Sequence, residues 1–102
     1  MIYRNGVQDD TVEITARASD SAFTDTIELD CTDGHTFSLE SGAVTGCVVE
    51  FRHEDDVSWT NIETTPYDLS AFAGTRETFE IRYDPSAATA PQALKFRVGP
   101  AA

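Results

Sequence analysis

Apolar and polar residues alternate along almost the whole chain, the pattern of strands with one wet and one dry face. In TVEITAR, Val12, Ile14 and Ala16 share one face and Thr11, Glu13, Thr15 and Arg17 the other, and SDSAF then turns the chain. TDTIELDC continues with Ile27, Leu29 and Cys31 inward, and the Asp33-Gly34 of TDGH, which tolerates positive φ, predicts a hairpin over 24–40 with Phe37 and Leu39 on the same dry face. After the loop SGAVTG, CVVEFRH points Cys47, Val49 and Phe51 inward and Glu50 and Arg52 outward; Val48 interrupts the alternation, marking a bulge or a place that another chain covers. EDDV is a tight acidic turn, and SWTNIE returns with Trp59 and Ile62, whose odd spacing implies a change of face.

TTPYDLSAFAG is a longer connection in which Pro66 blocks ladder pairing, and DLSAF can form one helical turn with Asp68 as N-cap. RETFEIRY is the most regular strand, with Phe79, Ile81 and Tyr83 inward. DPSAATAPQ is a loop, and ALKFRV closes the fold with Leu94, Phe96 and Val98 inward. MIYRNGV adds a short strand or an arm before an Asn-Gly turn. Nowhere do apolar residues recur at helical spacing over a useful length. The pattern predicts an all-β chain, an antiparallel β-sandwich (jelly-roll or immunoglobulin-like) of seven to eight short strands.

A chain of 102 residues makes one such domain, with 1–8 as a possible arm and 99–102 as a tail. It is long enough to bury about 60–70% of its unfolded surface without staples. No apolar run approaches the ~18 residues of a membrane span, and the N-terminus lacks the charged and apolar regions of a signal peptide, so the expectation is a chain that stays in the cytoplasm unless it leaves in a larger assembly.

Charge changes the picture more. Eighteen acidic residues against seven Lys plus Arg give a net charge of −11, a surface that repels phosphate backbones and anionic lipid heads. Nucleic acid and membranes are therefore not expected partners. Lys95 is the one lysine among the basic residues, a balance that fits either a salt-loving organism or an acidic protein of a GC-rich genome. Cys31 and Cys47 allow one disulfide, but a simple meander puts them at opposite ends of TFSLE, too far apart to bond; they read as buried free thiols.

Candidate chemistry is sparse. His35, beside the Asp-Gly turn, and His53, before three acidic residues, read as exposed turn residues rather than catalysts. A G-x-S-x-G elbow is missing, and carboxylate pairs follow from composition alone. Glu54, Asp55 and Asp56, and the trio Asp25, Asp30 and Asp33, are weak candidates for a cation, without the ligand spacing of a calcium loop. No catalytic residue, cofactor or dedicated metal site is expected. Among the aromatics, Trp59 and Tyr83 are expected in the core, Phe72 at one end of it, and Tyr67 exposed beside Pro66.

FRHEDDVSWTNIE followed by YDLSAFAGTRETFEIRY resembles a phrase common in jelly-roll and immunoglobulin-like modules. There a turn of the form D-D-G-x-[ST]-W and a Trp strand precede DLS-[AG]-aromatic-AG and a strand like x-F-x-I-R-Y. Such phrases occur in accessory modules of secreted enzymes, in carbohydrate-binding domains and in small virion proteins of tailed viruses. The likeness covers about a third of the chain and departs from the pattern at Asp56, where glycine is usual. It implies a fold and no catalytic residue. Without a leader or an attached enzyme, the home it implies is the virion: a capsid decoration, turret or tail accessory subunit of a halophilic host's virus, found in the particle and in host cytoplasm during assembly. Its partners are other virion proteins and copies of itself, met through Ile2, Tyr3, Val48, Tyr67 and Phe72. The other reading is a carbohydrate-binding or adhesion module acting through Tyr67 and the nearby loops, with a glycan as partner.

Overall fold

In the computed structural model, residues 2–4, 7–9, 11–17, 21–31, 36–41 and 44–99 are described. The expected turns at 5–6 and 33–34, His35, Asp33, parts of SDSAF and SGAVTG, and the last three residues lie outside them. Among the described residues the strands are β1 (Ile2–Arg4), β2 (Val7–Asp9), β3 (Thr11–Ala16), β4 (Phe23–Asp30), β5 (Thr36–Leu39), β6 (Val48–His53), β7 (Thr60–Asn61), β8 (Tyr67–Asp68), β9 (Arg76–Asp84) and β10 (Gln92–Gly99), with a 3-10 turn at Ser70–Phe72. They form a six-stranded sheet, β2-β1-β4-β9-β6-β7, and a four-stranded sheet, β3-β10-β5-β8, every pairing antiparallel.

The order of β3 to β10 has a simple generator. The first of these strands pairs with the last, β3 with β10; inside them β4 pairs with β9, then β5 with β8, and innermost β6 with β7. This is one long hairpin ribbon, folded back at the turn after His53 and then wrapped so that successive pairs fall in alternate sheets. The result is the double-sheet jelly roll. At the N-terminus Ile2–Arg4 is strand rather than loose arm: β1 lies within the larger sheet, between β2 and β4.

This topology corrects one expectation. The segments on either side of Asp33-Gly34 do not form a hairpin; β4 pairs with β1 and β9, and β5 with β10 and β8, in the other sheet. The expected inward face holds, with Val12 only partly buried against it. Ile14 and Ala16, Ile27 and Leu29, Phe37 and Leu39, Val49 and Phe51, Phe79, Ile81 and Tyr83, and Leu94, Phe96 and Val98 all lie in the core. At its centre four phenyl rings stack nearly parallel across the sheets: Phe96 to Phe37 at 5.6 Å, Phe37 to Phe51 at 4.3 Å, and Phe51 to Phe79 at 5.0 Å.

Cys31 and Cys47 are buried and free, as expected, though a different strand separates them. Cys31 bonds its backbone to Thr75, at the start of β9, whereas Val48, next to Cys47, pairs with Asp84 at its end. At about 3.3 Å per residue the thiols are on the order of 25 Å apart. Burial raises both thiol pKa values, so neither is poised as a nucleophile.

Candidate functional site

The innermost hairpin, β6 to β7, carries most of the unusual side chains, and the strand pleat sorts them onto two faces. Even-numbered residues of β6 point outward and odd-numbered ones inward. His53 follows the inward parity of Val49 and Phe51, and is buried at 5% exposure rather than sitting in an exposed turn.

Its surroundings account for that burial. The imidazole stacks on Phe72 at 4.5 Å and meets the edge of Phe79 at 5.1 Å. Nδ1 accepts the backbone N–H of Asp55 at 3.2 Å, which leaves the neutral ring's proton on Nε2, 3.0 Å from Glu77 Oε1. Both nitrogens are thereby committed. Asp56 Oδ2 accepts the backbone N–H of His53 and the Tyr67 hydroxyl, each at 3.0 Å. The 54–57 turn is thus tied to β9 through Glu77, to β8 through Tyr67 and to the 3-10 turn through Phe72.

These bonds also decide the cation candidates. Asp56 is turned inward onto His53 and Tyr67, so the trio Glu54, Asp55 and Asp56 does not converge. Ligand atoms of His53, Glu54 and Asp55 do lie within 4.8 Å of one another. However, an ion at Nδ1 must displace the Asp55 N–H, and beyond it only two exposed carboxylates remain. Asp25 and Asp30 point to opposite faces of β4: Asp25 takes Arg4 Nε at 2.6 Å and the Tyr83 hydroxyl at 3.1 Å, inside the sandwich.

Outward, the repeated phrases Glu50-Phe51-Arg52 and Glu80-Ile81-Arg82 meet in antiparallel register, Glu50 opposite Arg82 and Arg52 opposite Glu80. Arg52 Nε and Nη2 converge on Glu80 Oε1 at 3.0 and 2.7 Å, and Arg82 Nε and Nη2 on Glu50 Oε1 at 3.1 and 2.8 Å. Trp59 lies against this ladder, with the Arg52 and Arg82 guanidinium carbons 4.7 and 4.4 Å from its ring centroid. This overturns the expectation that the tryptophan fills the core. It sits half-buried on the outer face, because it precedes the two-residue β7 and escapes the inward parity that claims Ile62.

Of the residues expected at an interaction surface, Ile2 is buried at 2% exposure and takes no part in one. Tyr3 is half-buried on the outer face, 3.8 Å beneath the Arg76 guanidinium. Tyr67 is held rather than free, its ring edge 5.0 Å from Phe51 and its hydroxyl on Asp56. Phe72 caps His53 at the end of the core. Val48 is 47% exposed, and Val57, at the tip of the turn, 97%. Val48 does not break the alternation at all; it is an apolar residue at an outward position.

Two phenols report on this packing. Burial, reinforced by the bond to Asp56, pushes Tyr67 up to about 12, and burial with the charge of Asp25 raises Tyr83 further. The folded state therefore keeps protons that the unfolded chain releases near pH 10. Their stabilising contribution is whole below about pH 10 and is lost as the pH rises towards 12. The expected result is a thermal midpoint that falls across that window together with delayed tyrosinate absorbance, and a shallower fall for Tyr67→Phe; a midpoint flat to pH 12 contradicts it.

No family model, curated protein or solved structure matches the chain. Among the described residues, no helix is long and apolar enough to cross a membrane.

Proposed function

We propose that this protein is a non-enzymatic structural subunit of a tailed-virus particle, a capsid decoration, turret or tail accessory protein that works by symmetric association with itself and with shell or tail proteins. One observation carries the reading. Among the described residues the large apolar side chains left in solvent are Val48, at the start of β6, and Val57, in the turn that follows its other end. With a strand of six residues between its ends they stand roughly 20 Å apart. A subunit exposed at both ends of one sandwich can meet a sister copy with one end and the shell with the other.

The inward titratable groups support the same view, since His53, Asp56, Tyr67, Asp25 and Tyr83 are engaged with one another or with the backbone and hold the fold. The net charge of −11 with a single lysine suits a particle in strong brine, where salt with a Debye length near 3 Å at 1 M lets such surfaces approach. The expected result for Val57→Asp and for Val48→Lys, whose ammonium lies opposite Asp84, both surface changes worth within about 0.5 kcal/mol in the monomer, is an unchanged melting temperature and a smaller assembly by light scattering. Variants that keep the wild-type assembly mass count against these contacts. A gene placed among metabolic enzymes, far from any capsid or tail gene, counts against the virion.

A further inference from the structure

The outer face around Trp59 has features that neither folding nor the two valines require. Its single indole lies outside the core, resting on two guanidinium groups that are each held twice by one carboxylate oxygen of the neighbouring strand. The floor is therefore fixed before any ligand arrives, and ordering the ring on binding costs little. Across β9 the register continues the face with hydroxyls, Thr24 opposite Arg82 and Thr26 opposite Glu80, both exposed. From β6 to β4 this strip is two strand spacings wide, about 10 Å.

Charge selects the ligand class. Two arginines and two glutamates cancel within the ladder, so the patch is neutral on a chain of net charge −11. An anion meets no free cation there, because Arg52 and Arg82 are both paired. A cationic ligand must share an indole whose π-density already faces two guanidinium groups. What remains is a neutral ligand with C–H groups to lie on a ring and hydroxyls to meet carboxylate, guanidinium and threonine groups. We infer that this face binds a neutral saccharide, at least two pyranose rings long, with one ring stacked on Trp59 and the chain running across β9 towards Thr24 and Thr26. The inference stands apart from the assembly reading; a virion subunit or a free-standing module could use it equally.

Because Trp59 is the only tryptophan, the protein carries its own reporter. The full-length chain is titrated with neutral oligosaccharides of β-1,4-glucose, β-1,4-N-acetylglucosamine, α-1,4-glucose and β-1,4-mannose, up to about 10 mM. The expected result is a saturable change in Trp59 emission for at least one of them, confirmed by calorimetry. By calorimetry Trp59→Ala weakens that binding roughly tenfold or more and Trp59→Phe weakens it less, while circular dichroism shows both variants folded and their assembly mass is unchanged. No saturable response to any of the four overturns the inference, as does binding that survives Trp59→Ala. Binding confined to an anionic polysaccharide such as heparin also overturns it.

Discussion

Phe51→Ala is expected to cost about 3–5 kcal/mol, most of the stability of a domain this size. Phe51 is fully buried at the middle of the phenyl stack, 4.3 Å from Phe37 in the opposite sheet and 5.0 Å from Phe79 in its own, with the Tyr67 ring edge-on at 5.0 Å. Removing it deletes the one ring that touches both sheets' rings and Tyr67 together. The surrounding strands are held by their ladders on both sides, so they cannot close on the space. For a domain of about 100 residues this loss lowers the melting temperature by more than about 12 °C. Phe23→Ala, at the half-buried edge where Phe23 meets Tyr83, is expected to cost clearly less. Equal losses at the two sites in urea denaturation would mean that the stack is not the centre of the core.

Gly46→Ala is expected to cost about 2–5 kcal/mol, for two separable reasons. Gly46 has φ +80°, a left-handed conformation that disfavours any Cβ. In addition, an added Cβ falls 2.5 Å from Ala87 O and Ala88 Cα, in the loop between β9 and β10. Those are backbone atoms of a turn closed by the Ala88 N–H to Pro85 O bond, and they cannot rotate away as a side chain could. Gly74 supplies the control: its φ is +84°, yet nothing lies within 4 Å of its added Cβ. Gly74→Ala is therefore expected to cost only the conformational part, about 1–2 kcal/mol. Denaturation midpoints of the two variants measure the difference, and equal losses contradict the close approach of the two loops.

Strand faces were legible in the sequence because parity is local. Val49, Phe51, Phe79, Ile81 and Phe96 could be placed inward from their own segments, and the same parity, extended one step, places His53 inward despite the three acidic residues that follow it. Partners were less legible, because alternation says which way a side chain points and not which strand lies beside it. Asp33-Gly34 is a good local signal for a hairpin, but the strands on either side of it, β4 and β5, belong to different sheets. Only the innermost pair, β6 with β7, is a local hairpin among the nested four; the others join residues far apart in sequence.

The candidate site divides the same way. Trp59 read as core because large aromatics usually are, and its true neighbours, Arg52 and Arg82, come from two strands thirty positions apart in the chain. A signal was present in the matched phrases Glu50-Phe51-Arg52 and Glu80-Ile81-Arg82, which can neutralise each other only when their strands run antiparallel and side by side. Tyr67 read as exposed from its place beside Pro66, whereas its hydroxyl had an acceptor in Asp56, eleven residues earlier, that only the folded turn brings near. Ile2 read as surface because a chain terminus usually is; pairing with Leu29 carries it to the dry face.

The measurement closest to the proposed function is the mass of the wild-type protein by sedimentation velocity, in low salt and again in multimolar salt. A subunit of 11.1 kDa built to join sister copies is expected to sediment in high salt as a closed trimer or pentamer, and to loosen in low salt as its charges repel. A monomer at both salt concentrations, at the concentrations used to assemble particles, contradicts the structural-subunit reading.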